Sequence, residues 1–400
     1  MIGRAEYTER FPMLAPLTSL HGPRGWLAFA ALALVALVLV PLLNLLPEPD
    51  SVLHLPDHLI PLIGKFLCYA MVALAIDLIW GFGGILSLGH GVFFALGGYA
   101  MGMYLMRAIG TEGVYRSELP DFMVFLDWKE LPWYWHGFES FAFAMLMALA
   151  APALLAYVFG WFAFRSRIRG VYFSIITQAM TFALMLLFFR NDTGFGGNNG
   201  LTDFKRILGF AIAEPATKLG LYLVSALALM ATYLLCKFLV ASRVGKVVQA
   251  IRDAEGRVVF SGYDPVHYKQ FIWTVSAVLC GLAGALYVPQ VGIINPSEMH
   301  PAASIEMAIW VAVGGRGTLV GAIVGAGLVN GAKSWFTAAF PELWLFVLGT
   351  LFIAVTLFLP RGVTGLIQSV VSSRWIGRWN RALGLLPGVT PRRERLDDAA

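Results

Sequence analysis

ASRVGKVVQAIRDAEGRVVFSGYDPVHYK, residues 241–269, is a polar stretch between two long apolar runs. Arg243, Lys246, Arg252, Arg257 and Lys269 stand in it beside Asp253, Glu255 and Asp264, so water and not lipid must surround it. Val247, Ile251, Ala254 and Val258 recur at i, i+4, i+7 and i+11. That spacing predicts a short amphipathic helix with its core at 244–255, a break at Gly256 and an end at 262–265. Such a helix is either a connector resting on the membrane surface or a docking element for another protein. The chain on either side has to decide between them.

Apolar residues make up 58% of the 400 and charged residues only 13%, with a mean hydropathy of +0.72. Soluble domains carry about 25% charged residues, so this composition predicts an all-α, polytopic membrane helix bundle. The net charge of +5 comes from short basic segments beside apolar runs, which set topology and do not imply nucleic acid. Cys68, Cys236 and Cys280 sit inside apolar runs without a pairing pattern and read as small buried hydrophobes.

Working outward from the loop, apolar spans are expected at about 219–240 before it and 270–290 after it. Earlier spans fall at about 26–46, 59–79, 85–106, 140–164 and 171–189. The first is too long for the apolar region of a cleaved leader. Arg4, Arg10 and Arg24 precede the first span, and the acidic loop after it lacks Lys and Arg, so residues 1–25 are expected to be cytoplasmic. Alternation then puts the basic turn Arg165, Arg167, Arg169 inside, the loop 190–218 outside, and 241–269 inside by an argument independent of its own charges. The run 304–336 is too long for one helix and is broken at Gly314, Gly315, Arg316 and Gly317. Read as a short descending helix and a rising one, it leaves the last apolar run, 343–359, ending on the same side as the basic tail 361–400. About ten membrane segments result, one of them short or broken, within a transmembrane domain 26–360, and both termini are cytoplasmic.

Gly91, Ala95, Gly98 and Gly102, with Ser87, fall on one arc of the third span, and Gly321 and Gly325 on one face of the rising helix, followed by Gly327 and Gly331. Small-residue faces of this kind predict close helix packing. Asp77, His90, Gln178, Gln290, Glu298, Glu306 and Arg316 are polar residues in or at apolar runs and are candidates for function by position. His54 and His58 are separated by Pro56 and share no helical face, so no metal site is expected. GLVNGAKS, 327–334, has Ala332 where a phosphate loop needs glycine, and no nucleophile and base pair stands out. The chain is therefore expected to be no enzyme, with no catalytic residues and no bound cofactor.

Four separated stretches carry a family likeness: LIWGFGGILSLGHGVFFALGGYAMGMYL from Leu78, DTGFGGNNGLTDF from Asp192, RVGKVVQAIRDAEGRVVFSGYDP from Arg243, and SIEMAIWVAVGGRGTLVGAIVGA with LPRGVTGL. Together they resemble the permeases of the branched-chain amino acid ABC importer family, most nearly those of its urea-importing branch, over about 59–366. The resemblance implies a permease in the bacterial inner membrane that translocates urea, or else a branched-chain amino acid or short amide. Its implied partners are a homologous second permease in a heterodimer, two cytoplasmic ATPase subunits that use ATP and Mg, and an extracytoplasmic solute-binding protein. On the family pattern, Arg252, Asp253, Ala254, Glu255 and Gly262, with Val247 and Ile251 of the stripe, belong to the loop that couples to the ATPase. His90, where related permeases tend to have glutamine, favours urea. Under this reading the solute path is bordered by Ser87, His90, Gln178, Asn198, Asn199 and Glu306. The reading outside this class is a passive channel or ion-coupled carrier.

Overall fold

The computed structural model describes residue 20, residues 22–48, 51, 53–168 and 170–340, then 342, 343, 346, 347, 349, 350, 353, 354, 357 and 362–371. Arg4, Arg10 and Arg169, much of the expected span 343–359 and the tail beyond Val371 lie outside the described residues. Among the described residues, seven helices are long and apolar enough to cross a membrane. These are α1 (Pro23–Leu34, continued by Val35–Leu39 and Val40–Leu45), α2 (Leu59–Ile76, continued by a π-helical turn Asp77–Phe82), α4 (Phe141–Arg165), α5 (Val171–Phe189), α6 (Pro215–Ala241), α8 (Pro265–Val291) and α10 (Leu319–Ala339). Between them lie α3 (His90–Arg107), the polar helix α7 (Arg243–Phe260) and the short apolar helix α9 (Pro301–Gly314). The expected division of 304–336 at its glycines is therefore present. A further helix, α11 (Gly362–Val371), opens the expected tail and packs on the α9/α10 hairpin.

α3 is the centre of the bundle: every residue from His90 to Met106 except Leu96 is buried. A helix apolar on all sides belongs inside a bundle, not at its lipid face. α8 packs along it and against α2 and α4. The approach is backbone to backbone, since a Cβ on Gly97 would lie 2.0 Å from the Gly281 carbonyl and one on Gly284 would lie 1.9 Å from that of Phe94. Trp273 of α8 donates its indole N–H to the Ala156 carbonyl of α4 at 2.9 Å, and Phe93 and Phe173 pack on its ring at 5.2 and 5.3 Å.

The expected small-residue arc of α3 serves a different neighbour. Gly91 faces the Glu298 carbonyl and Ser304 Oγ, both 2.8 Å from a built Cβ, while Gly98 and Gly102 face Ile294 and Ala95 is sealed in the core. The short strands and the turn at 293–299 occupy most of that face, with side chains of Ser304 from α9 and Val288 from α8 beside them. Gly321 and Gly325 do pack helix to helix, their Cβ positions lying 2.7 and 2.0 Å from the Gly314 and Trp310 carbonyls of α9. Gly327 and Gly331 have nothing within 4 Å and take no part in this packing.

The third span also begins later than expected. Residues 83–89 are not helical, so Ser87 lies outside α3. Against Gly98 and Gly102 of α3, β1 (Leu201–Thr202) pairs antiparallel with β4 (Ile293–Ile294), Leu201 against Ile294, while β2 (Arg206–Ile207) and β3 (Phe210–Ala211) form a separate hairpin. Gly284→Val is expected to destabilise the folded chain by about 1–3 kcal/mol or more through overpacking. Gly331→Ala, in open space, is expected to leave it unchanged or slightly raise it. Thermal unfolding of the detergent-solubilised protein checks both.

Candidate functional site

The polar stretch folds as the spacing predicts, with a different break and a different inward face. Ser242 caps α7 by accepting from the Gly245 N–H at 3.1 Å, and Asp264 caps α8 by accepting from Val266 N–H at 3.0 Å, with Pro265 at its first position. The helix is broken at Ala254 (φ −157, ψ 72) and not at Gly256. Gly245, Val248, Ile251 and Val258 are buried, whereas Val247 and Ala254 are only partly so. The apolar stripe thus rests on this chain's own α6, α8 and the turn ending α2.

Two expected coupling residues are also engaged internally. Arg252 donates to the Gly81 carbonyl at 2.8 Å and to Asp253 at 2.8 Å, its stem lying against Gly84. The guanidinium holds the Asp253 carboxyl below its usual range. Glu255 accepts from Lys269 at 2.8 Å, both side chains mostly buried. What α7 leaves open lies past the break: Phe260 is 94% exposed, and Val259 and Tyr263 are about half exposed. Beside them Gly262 (φ +85) reverses the chain. A cavity of about 500 Å³ lies there, walled by Phe164, Arg167, Glu255, Val259, Tyr263 and Lys269.

Arg252 reaches the same turn that holds the α9/α10 hairpin. Asp77, fully buried, accepts from the Gly317 N–H at 2.6 Å, and Arg316 stacks over Trp80 at 5.4 Å. Gly81 has no room for a side chain because the Gly317 nitrogen would lie 2.5 Å from it. Thr364 of α11 donates to the Gly314 carbonyl at 3.0 Å on the far side of the hairpin. One π-helical turn, Asp77–Phe82, therefore binds α7 by its carbonyl and the hairpin by its carboxylate.

Further along, the non-helical stretch 83–89 is satisfied by hydroxyls. Leu88 N–H donates to Thr177 Oγ1 at 3.1 Å, Ser174 donates to the Leu86 carbonyl at 2.7 Å, and Gly91 N–H donates to Ser304 Oγ at 3.1 Å. Ser87 accepts from Gly89 N–H at 3.1 Å and is itself buried. His90 is fully buried; its Nε2 lies 2.7 Å from Ser276 Oγ, which donates onward to the Ala75 carbonyl at 2.7 Å. That onward bond makes Nε2 the donor, and Nδ1 has no partner among the described residues.

The expected path residues do not converge. Ser87 and His90 are core, Gln178 is partly exposed on α5 with no hydrogen-bond partner among the described residues, and Asn198 and Asn199 are exposed on the 190–211 loop. Glu306 is bound by Lys333, whose Nζ lies 2.9 and 2.8 Å from its two oxygens. Sequence reading missed Arg252's bond to Gly81, the exposed Phe260 and the hydroxyl set Ser174, Thr177, Ser276 and Ser304. Only Phe260, an aromatic in a polar loop, gave a local signal.

A buried central helix flanked by apolar spans, with a polar helix folded back on their ends, defines a multi-pass membrane protein of transporter type. The chain belongs to the branched-chain amino acid transport system permease component family, whose profile matches residues 59–356. It is similar to the high-affinity branched-chain amino acid transport system permease proteins LivM of Escherichia coli and Salmonella typhimurium. Each is 24% identical over 319 residues, covering 74% of this chain and 68% of the relative. No solved structure matches it significantly.

Arg252→Met removes the bond to Gly81, and about 1 kcal/mol lost there raises local opening roughly fivefold. Hydrogen exchange of the α7 amides is expected to quicken by that factor, while the α8 core exchanges as before. Arg252→Lys is expected to restore protection only in part, because an ammonium cannot hold Gly81 and Asp253 with one planar fork.

Proposed function

We propose that this chain is the translocating permease subunit of an ATP-driven importer in the bacterial inner membrane, with α7 on the cytoplasmic face as the element that receives work from an ATPase. The observation that carries the proposal is the double grip of the Asp77–Phe82 turn. α7 is bonded to it through Arg252 and the α9/α10 hairpin through Asp77, so displacement of one polar helix bears on two membrane elements. Membership of the permease family supports the same role. A homologous second permease, two ATPase subunits that consume ATP and Mg, and an external solute-binding protein complete the assembly.

On this reading the surface that meets the ATPase is the open end of α7, with Phe260, Val259 and Tyr263 around the 500 Å³ cavity. Arg252 and Glu255 act inward, transmitting motion, Asp253 holds the Arg252 guanidinium from the exposed side, and Val247 and Ile251 seat the helix. An exposed aromatic beside a cavity suits the helix-in-groove mode of recognition.

For the cargo, the relatives' names support a branched-chain amino acid. Urea is the second reading, favoured by the LSLGHG stretch and the motif set around it. Phe260→Asp is expected to abolish ATP-dependent uptake in the reconstituted complex while the chain still inserts and folds; uptake at the parental rate would remove α7 from the coupling role. Competition separates the two cargoes. Labelled leucine uptake that excess urea leaves untouched assigns the amino acid, and labelled urea uptake that leucine leaves untouched assigns urea. Uptake in vesicles lacking the ATPase would instead indicate a channel or carrier.

A further inference from the structure

Four charges meet where α2, the 296–299 turn, α9 and α10 converge, at the end of the bundle away from α7. Lys65 lies six residues inside the first residue of α2 and Lys333 six residues before the last of α10. At 1.5 Å per residue both stand about 9 Å below their helix ends, within the apolar spans. Glu298 and Glu306 lie within electrostatic reach of both lysines. The floor is aromatic: Tyr69 stacks on Tyr287 at 5.6 Å and on Trp310 at 4.8 Å.

The four are not equally engaged. Glu306 and Lys333 neutralise each other. Lys65 has no ion-pair partner among the described residues and only lies over the Tyr69 ring at 5.6 Å. The Glu298 carboxylate has, among the described residues, a single bond, from the Tyr287 hydroxyl at 3.2 Å. The indole N–H of Trp310, buried in the same floor, has no acceptor among the described residues. Ionised groups held among apolar spans without partners are costly and mark a water-filled path or a ligand. A free ammonium and a nearly free carboxylate over an aromatic floor complement a small solute that offers an acceptor oxygen on one side and N–H donors on the other.

We propose that Lys65 and Glu298, over Tyr69, Tyr287 and Trp310, form the outer solute site of this permease, Lys65 taking the solute's carboxylate or carbonyl oxygen and Glu298 its ammonium or amide N–H. The inference rests on the transport reading and names the residues of the entry site. An α-amino acid and urea share this chemistry, so each is a separate arm of the test.

In the assembled complex in proteoliposomes, Lys65→Met and Glu298→Gln are each expected to raise KM for the imported solute at least ~10-fold, consistent with one charged hydrogen bond. Lys65→Arg, which keeps the charge, is expected to keep a near-parental KM. Parental KM in both neutral variants overturns the site. If these variants fail to assemble, Lys65→Cys is exposed to a membrane-impermeant cationic methanethiosulfonate; Cys68, Cys236 and Cys280 are buried and leave the background low. Labelling that leucine or urea slows supports the site, and the protecting solute identifies the cargo. No labelling, or labelling that neither solute slows in a complex that transports, overturns it. A parent complex that imports neither solute overturns the transport reading instead, and the site then stands or falls on reagent access alone.

Discussion

Inside a bilayer no water is at hand for an unpaired backbone N–H or carbonyl, and each one left open costs several kcal/mol. Residues 83–89 leave helical geometry within the bundle, so their polar groups need partners from protein. Ser174 and Thr177 of α5 supply two, Ser87 a third, and Ser304 of α9 meets the first free N–H of α3. These short hydroxyls fix where α3 starts, and through α3 they fix α8, which touches it backbone to backbone. The irregular chain at 293–299 is placed by the same need, β4 pairing with β1 against the glycine face of α3.

The α9/α10 hairpin and α7 both pack on the bundle, and each is also hydrogen-bonded to it, two of these bonds converging on Asp77–Phe82. A π-helical turn is a rare departure from the α-helix that tends to occur at functional sites. Here it releases the Gly81 carbonyl toward Arg252 and turns Asp77 toward Gly317. Physical continuity from α7 to α10 is thus a matter of two hydrogen bonds on one turn, which makes a sequential path through many side chains unnecessary.

Much of the architecture was legible because lipid imposes a coarse code. Long apolar runs and the glycine break at 314–317 gave the spans and the hairpin, and the stripe in 241–269 gave an amphipathic helix. The facing of elements was less legible. Gly97, Gly281 and Gly284 read no differently from Gly91 and Gly102, yet the first three meet the backbone of long helices, Gly91 meets the 296–299 turn and Ser304, and Gly102 meets the β1/β4 strands. Likewise the stripe of α7 proposed a surface for another protein, and the chain's own bundle claimed it; periodicity reports that a face is buried, not by what. In the sequence Lys65 is one charge in an apolar run and Lys333 falls within the failed phosphate loop. Their bearing on Glu298 and Glu306 depends on packing between α2, α9 and α10 that no local pattern encodes.

His90 shows why cargo preference is hard to read from a single departure from a family pattern. Its Nε2–H is spent on Ser276, and Phe93 and Trp273 wall the ring at 5.8 and 5.5 Å. Nδ1 keeps an unused acceptor site, but the ring is fully buried where α3 meets α8, which Gly97 and Gly284 lock together. A residue change at position 90 therefore acts first on the core, and on transport through it. Recognition demands groups with spare bonding capacity, and among the described residues Lys65 and Glu298 keep it where His90 has spent its N–H.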